Sequence, residues 1–143
     1  MSTPTNTRFS VAAHVLTYLA GNPGRAVSSD ELAASSQVSP VHIRKVLGPL
    51  RTAGLIESRP GARGGSLLGR PATSIRLDEV WSLLQGDDPV LGHHMPSPRC
   101  PVGREISAEL HDLDDEIRAA LVARLRRTTV ADLLTPAMER AFA

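Results

Sequence analysis

Apolar and polar residues alternate along most of this chain with the period of an α-helix. From about Arg8 to Ala20, the apolar positions share one predicted helical face: Phe9, Ala12, Ala13, Leu16 and Leu19. The sequence G-N-P-G at residues 21–24 ends this helix, because glycine and proline interrupt helical structure. A second, shorter helix is predicted from about Ser29 to Ser36, with Ser28 and Glu31 at the spacing of a capping box.

A third helix is predicted from Ser39 to Gly54. Ser39 is able to cap its first turn, Pro40 suits its first position, and Gly54 is able to end it in the left-handed conformation. Its core-facing side consists of Val46, Leu47 and Leu50. Considered without its neighbours, this stretch is equally consistent with an ordinary amphipathic helix of a helical domain.

The second and third helices are joined by only two residues, Gln37 and Val38, which predicts a helix-turn-helix motif. In such motifs the leading end of the second helix contacts base edges in the DNA major groove. Here that end is polar and basic. We predict DNA contacts from Ser39, Val41, His42, Arg44 and Lys45. Ser28 and Ser29, at the start of the preceding helix, are predicted to contact DNA phosphates through backbone amides.

A β-hairpin is predicted after the third helix. Leu55–Arg59 has the pattern of a short strand, Pro60–Gly65 is too rich in glycine for an element interior, and Ser66–Leu68 is predicted to return antiparallel. A helix-turn-helix motif followed by such a hairpin is a winged helix, so we predict a mainly α fold with a small β-wing. Arg59 and Arg63 are placed on the wing, where guanidinium groups can reach phosphates or the minor groove.

The distribution of charge favours a polyanionic partner. The net charge is only +1, but residues 39–76 carry seven basic residues and one acidic residue. Residues 77–116 carry ten acidic and two basic residues, and residues 117–143 carry five arginines and two acidic residues. A local basic block within a nearly neutral chain is typical of nucleic-acid-binding surfaces. An ordinary solvated surface does not explain why positive and negative charges lie in separate segments of the chain.

Composition indicates a small protein with an aliphatic core and argues against disulfide-rich, membrane-spanning and secreted classes. The 143 residues fit one domain, or a domain with an oligomerisation arm, and 41% hydrophobic with 3% aromatic residues predict an aliphatic core. The single cysteine excludes an intrachain disulfide. No apolar run approaches the roughly 20 residues of a membrane span, and residues 1–8 lack the apolar segment of a signal peptide. We predict a cytoplasmic protein without membrane association.

Short segments along almost the whole chain have a recognisable order and spacing. They are R-F-S-V-A-A-H-V-L, V-S-P-V-H-I-R-K-V-L-G-P-L-R-T-A-G-L-I, S-R-P-G-A-R-G-G, R-P at 70–71, I-R-L-D-E-V-W-S-L-L-Q-G, C-P-V-G at 100–103 and T-T-V-A-D-L-L at 128–134. In this order the segments resemble the Rrf2 family, the IscR/NsrR/CymR-like winged-helix transcriptional regulators of bacteria. The chain departs from the family at Ser66, where such wings often carry an aromatic residue. The resemblance implies a DNA-binding regulator rather than an enzyme, and we predict a repressor.

The resemblance also implies a homodimer, and a long helix predicted from Gly103 to about Arg127 supports it. The apolar stripe of this helix consists of Ile106, Leu110, Leu113, Ile117, Leu121 and Leu125. A helix of this length at the end of a small domain usually needs a partner to bury the rest of its surface. A two-fold dimer also matches a palindromic operator. We therefore divide the chain into a winged DNA-binding domain (1–85), a sensor or linker loop (86–102) and a dimerisation helix with a C-terminal tail (103–143).

The loop of residues 86–102 contains the single cysteine, Cys100. In iron–sulfur members of the family this region carries three cysteines, whereas a dimer of this chain would supply only two thiolates. His93, His94 and His111 do not stand with Cys100 at the spacing of an established metal site. We therefore predict no iron–sulfur cluster and no metal cofactor.

The setting of Cys100 is similar to that of a single-cysteine branch of the family, which includes thiol-based redox repressors. Cys100 immediately precedes the long helix, so the helix dipole, Arg99 and Arg104 would favour its thiolate. We predict that oxidation or modification of Cys100 shifts the dimer and releases DNA; a buried or inert thiol is the alternative.

Three other possibilities stay open: a small-molecule effector with Cys100 structural, a dimeric interaction module without DNA binding, and a thiol enzyme with Cys100 as nucleophile and His93 or His94 as base.

Overall fold

The fold consists of α-helices around one small β-hairpin. The computed structural model describes residues 7–143, without the side chain of Ala137; residues 1–6, which entered the signal-peptide prediction, lie outside the described part. Its elements are α1 (Arg8–Ala20), α2 (Ser29–Ser36), α3 (Pro40–Thr52), β1 (Ile56–Arg59), β2 (Gly65–Leu68), α4 (Leu77–Gln85), α5 (Pro101–Leu125), α6 (Val130–Leu133) and α7 (Pro136–Phe142). A short 3-10 helix, Ala72–Ser74, precedes α4. None of the helices within residues 7–143 is both long and apolar enough to cross a membrane.

The ends of α2 and α3 follow the caps that the sequence predicted. Ser28 Oγ accepts a hydrogen bond from the Glu31 amide (3.1 Å), and Ser39 Oγ accepts one from the His42 amide (3.2 Å). Each cap satisfies an amide that has no partner within the helix. Gly54 follows α3 with a φ of +77°, which confirms its left-handed conformation.

The wing is an antiparallel hairpin in which residues 56–59 pair with residues 65–68. Val27, just before α2, adds a third strand position, since backbone hydrogen bonds of 2.9 and 2.8 Å join it to Ser66. A Cβ at Gly65 would lie 2.3 Å from the Val27 carbonyl oxygen, so this close approach requires glycine. Ser66 is buried, and its backbone pairing with Val27 holds this end of the strand in place.

The core of the winged domain is aliphatic, as the composition predicted. Its fully buried side chains include Val15, Leu16, Leu32, Ile43, Leu50, Leu55, Ile75 and Val80. Trp81 lies half-buried and contacts Phe9 edge to face, with ring centroids 5.3 Å apart. Val130 of α6 is also fully buried in this core, and its amide donates to the Ile75 carbonyl (2.9 Å). The segment after α5 therefore returns to the winged domain and completes its core.

The long helix α5 is fixed to the chain along one side only. Two of its 25 residues are buried, and one of these is the carboxylate residue Asp114. Asp114 accepts a hydrogen bond from the Leu91 amide (2.5 Å) and lies 3.5 Å from the Arg118 guanidinium. Arg118 also donates to the carbonyls of residues 87 and 88 (3.0 and 2.9 Å). Polar contacts thus hold the first part of the 86–100 loop against the middle of α5.

A three-residue polar cluster joins the α1–α2 connection to the first turn of α2. Glu31 accepts two hydrogen bonds from Arg25 (3.0 and 2.8 Å) and one from the Tyr18 hydroxyl (2.6 Å). These contacts, Arg25 foremost, lower the pKa of Glu31 to about 2. Because the Glu31 side chain is used here, the predicted capping box is only half formed: Ser28 caps Glu31, but Glu31 does not cap Ser28.

Replacing Glu31 by glutamine is expected to lower the free energy of unfolding at pH 7 by about 1–2 kcal/mol, a value reduced for solvent screening of the half-exposed Arg25. Because folding lowers the pKa of Glu31, its ionised carboxylate contributes fully to the free energy of unfolding above pH 4.5, the pKa in the unfolded chain. The contribution is lost as the pH falls towards 2, the pKa in the folded protein. Urea unfolding should therefore separate the two proteins clearly at pH 7 and much less at pH 2.5. Asp30→Asn, in the same helical turn, is the control, and an equal loss there would contradict this role of Glu31.

Candidate nucleic-acid interface

The helix α3 has one buried side and one exposed side. Its buried residues are Ile43, Val46, Leu47 and Leu50. Val41, Arg44 and Lys45 are exposed, and their i, i+3, i+4 spacing places them on a single face opposite the core. We call these three residues the recognition face. Helix periodicity therefore presents an exposed, mainly basic surface near the N-terminus of α3.

The other predicted contact residues near this face have different surroundings. Ser28 and Ser39 are exposed, but their hydroxyl oxygens cap α2 and α3. Ser29 is half-buried in the first turn of α2. His42 is half-buried, and its Nε2 atom is buried without a hydrogen-bond partner in the described part of the chain. That nitrogen is therefore not presented to solvent in the free protein.

The wing presents its two predicted arginines on a tight loop. Arg59 ends β1, Arg63 lies in the loop, and both residues are exposed. Gly61 has a φ of +102°, and a Cβ at Gly64 would lie 2.0 Å from the Arg59 carbonyl oxygen. Glycine at these two positions allows the turn that a side chain would prevent.

The seven basic residues between 39 and 76 divide into paired and unpaired cations. Arg70 binds Glu79, and Arg76 binds Asp78 at 3.1 Å. Within residues 7–143, none of the ion pairs involves the other five, which are all exposed: Arg44, Lys45, Arg51, Arg59 and Arg63. The structure thus leaves the charges of α3 and the wing available to a polyanion.

Cys100 is the N-cap residue of α5, as predicted. Its Sγ atom accepts a hydrogen bond from the Gly103 amide (3.4 Å), and the residue is exposed. The residue is therefore not buried within the single chain, while the alternative of an inert thiol stays open. The guanidinium of Arg104 donates to the Pro98 carbonyl (3.3 Å), which links the start of α5 to the preceding loop.

The two short helices joined by a tight turn and the hairpin that follows them define a winged helix-turn-helix protein. The Rrf2 family model, described as "Iron-dependent Transcriptional regulator", matches residues 5–136. YwnA of Bacillus subtilis, named an HTH-type transcriptional regulator, is 31% identical over 130 residues, or 90% of this chain and 96% of YwnA. The chain belongs to the Rrf2 family of transcriptional regulators, which are not enzymes.

Solved structures of similar proteins have the same fold. CymR of B. subtilis, titled a global cysteine regulator, superposes with a TM-score of 0.65 at 26% identity and covers 92% of this chain and 96% of its own. A transcriptional regulator from Lactobacillus plantarum superposes with a TM-score of 0.74 at 28% identity and covers 90% and 88%. These matches confirm the predicted mainly α fold with a small β-wing.

The family description includes iron dependence, but the side chains of this chain do not fit an iron site. Within residues 7–143, no three His, Cys, Asp or Glu side chains form a group that could hold a metal ion. The rings of His93 and His111 stack on each other, with centroids 4.2 Å apart, instead of converging on one point. An iron–sulfur cluster needs about four protein ligands, mostly thiolates, and one chain supplies a single cysteine.

Proposed function

We propose that this chain is a cytoplasmic DNA-binding repressor that acts as a homodimer on a palindromic operator. The observation that carries this proposal is the set of five exposed cations on α3 and the wing, which form no ion pair with another residue of the described part, 7–143. In winged helix-turn-helix proteins the second helix enters the major groove, and basic residues outside it contact phosphates or the minor groove. Arg44 and Lys45 on α3, with Arg59 and Arg63 on the wing, suit these two kinds of contact. The backbone amides of Ser28 and Ser29 are proposed to contact phosphates, and Ser39 to contact DNA at the leading end of α3.

Binding of the purified chain to its own upstream DNA tests this function. We expect the logarithm of the association constant to fall linearly with the logarithm of salt concentration, by about 0.9 for each phosphate neutralised. Fluorescence anisotropy with a labelled duplex measures this slope, and footprinting should show two symmetric half-sites. Affinity that does not change with salt, or no binding at low salt, would support the interaction-module alternative instead.

Dimerisation through α5 is supported by the exposure of its apolar residues. Val102, Ile106 and Leu113 are 72%, 47% and 46% exposed, and their spacing places them on one side of the helix. The rest of the predicted stripe is half-buried within the chain: Leu110, Ile117, Leu121 and Leu125. The predicted stripe therefore has an inner part, which packs against this chain, and an outer part, which is exposed and includes Ile106 and Leu113. The outer part is suited to pairing with the α5 of a second copy.

The proposed redox switch rests on the position of Cys100. The thiol is exposed at the positive end of a 25-residue helix, where oxidants can reach it. Oxidation or alkylation would remove the sulfur from its hydrogen bond with the Gly103 amide and change the start of the helix proposed to join the two subunits. The available products are a sulfenic acid, an adduct, a mixed disulfide or a Cys100–Cys100 bridge between subunits.

Replacing Cys100 by serine is expected to leave DNA affinity within about twofold of wild type, because serine is itself a favourable N-cap residue. Wild-type protein should lose DNA binding after mild peroxide treatment and regain it with a thiol reductant, whereas the variant should not respond. Anisotropy measured before and after each treatment checks both proteins. A variant that still responds to peroxide would exclude Cys100 as the sensor.

A small-molecule effector is the second candidate signal, with Cys100 then structural. An apolar cavity of about 490 Å³ lies between α1, α2 and the C-terminal helices, and its lining includes Ala13, Tyr18, Met138 and Phe142. Its size and apolar lining suit a small ligand. DNA binding by the wild-type chain that is indifferent to oxidants would favour this signal.

A further inference from the structure

One apolar side chain lies on the otherwise basic recognition face. Val41 is 56% exposed, and within residues 7–76 it is the only strongly exposed large aliphatic side chain. Within residues 77–143 the other exposed large apolar side chains are Leu83, Met95, Val102, Ile106, Leu113 and Met138. Since isolated exposed apolar residues are common on protein surfaces, the exposure of Val41 alone assigns it no role. The rigidity of Val41 and the charge of its neighbours indicate a role.

Local structure holds Val41 in a defined position. Pro40 occupies the first helical position with a fixed φ, and Ser39 caps the amide of His42. A β-branched valine in a helix has one strongly preferred rotamer. The two methyl groups of Val41 therefore form a preorganised apolar surface, and little conformational entropy is lost when a partner contacts it.

The neighbours of Val41 favour DNA rather than an apolar protein surface. Arg44 and Lys45, three and four residues later on the same face, are exposed and without ion pairs in the described part of the chain. In the major groove the apolar group on a base edge is the C5-methyl of thymine. Thymine also presents its O4 acceptor there, but only thymine adds a methyl group. Contact of valine with the polar edge of another base would leave polar atoms without hydrogen bonds.

We propose that Val41 is a specificity-determining residue that contacts the C5-methyl group of a thymine in each half-site of the operator. This inference rests on the proposed DNA-binding function and adds the base that the recognition face selects. Arg44 and Lys45 supply the attraction to DNA, and Val41 supplies the discrimination between thymine and the other bases.

Deoxyuridine tests the contact, because it differs from thymidine only by the missing methyl group. The full-length protein first selects its preferred duplex from a random-sequence library, and each symmetry-related pair of thymines is then replaced by deoxyuridine. We expect replacement of one pair to weaken wild-type binding by about tenfold, the effect of removing two methyl groups from apolar contacts. Wild-type binding that is unaffected by every replacement would overturn the proposal.

Three variants assign the effect to the side chain. Val41→Ser should bind the thymine and deoxyuridine duplexes equally, and Val41→Ile should keep the preference for thymine. Leu83→Ser, which changes an exposed aliphatic residue on α4, should behave as wild type. A Val41→Ser protein that still distinguishes the two duplexes would overturn the contact. If no duplex is selected at all, the proposed DNA-binding function fails with it, whereas a selected duplex without a deoxyuridine effect overturns the Val41 contact alone.

Discussion

Reversing the charge of Lys45 is expected to weaken specific DNA binding strongly while leaving the fold intact. Lys45→Glu removes an exposed cation from the recognition face and introduces repulsion between a carboxylate and phosphates. The loss of one DNA contact costs about 1–3 kcal/mol, and the proposed homodimer would carry the change in both half-sites. We therefore expect the affinity for the operator to fall by at least about thirtyfold, as measured by anisotropy at fixed salt.

Arg140→Glu is the matched control for this result. Arg140 is an exposed cation on α7, outside the helix-turn-helix and the wing, and its reversal produces the same change in net charge. The control should retain most of its affinity, and thermal unfolding of both variants should resemble wild type because both side chains are exposed. Equal losses in the two variants would indicate a general effect of net charge and would contradict a specific contact by Lys45.

Replacing Leu113 by arginine is expected to convert the proposed dimer into monomers. Leu113 is 46% exposed on the side of α5 that also carries Val102 and Ile106, and an unpaired guanidinium at a dimer interface would be costly to bury. Sedimentation velocity at micromolar concentration should show the mass of a dimer for wild type and of a monomer for the variant. Operator affinity should fall by about 10²–10⁴-fold, because the two half-sites are no longer bound by linked subunits.

Ala119→Arg is the matched control for the interface. Ala119 is exposed on α5, and the six-residue separation from Leu113 places it about 120° away around the helix. This variant adds the same charge and should remain dimeric. A dimeric Leu113→Arg protein would move the subunit interface away from this side of α5 and would leave the exposed apolar residues there without a partner.

The helix-turn-helix motif was predictable because its boundaries depend on neighbouring residues. Ser39 caps an amide three residues further along, and Gly54 adopts a conformation that most other residues avoid. The exposure of Arg44 and Lys45 followed from the same periodicity that buries Ile43 and other apolar residues of α3. The position of Cys100 at the start of α5 was likewise local, since the following proline marks the first helical position.

Contacts between distant segments were not predictable in this way. Val130 carries no periodic pattern that indicates its burial beside Ile75, and it reaches that position only because α5 returns the chain to the winged domain. Glu31 satisfied the spacing of a capping box, yet its carboxylate binds Arg25 and Tyr18, two partners that the fold brings together. A local sequence pattern shows which nearby group a side chain is able to bind. It does not show which distant groups the fold brings close enough to bind that side chain instead.

The amino-acid sequence determined the class of this protein, because caps, turns and helical periodicity act over a few residues and together specify a winged helix-turn-helix. The tertiary structure decided which groups are free to act. It paired Arg70 and Arg76 with carboxylates, and within residues 7–143 it left the cations of α3 and the wing without ion pairs. It also turned Leu113 towards solvent while Leu121 stays half-buried. Ion pairing and burial depend on distances between separate elements, and those distances exist only once the elements have packed.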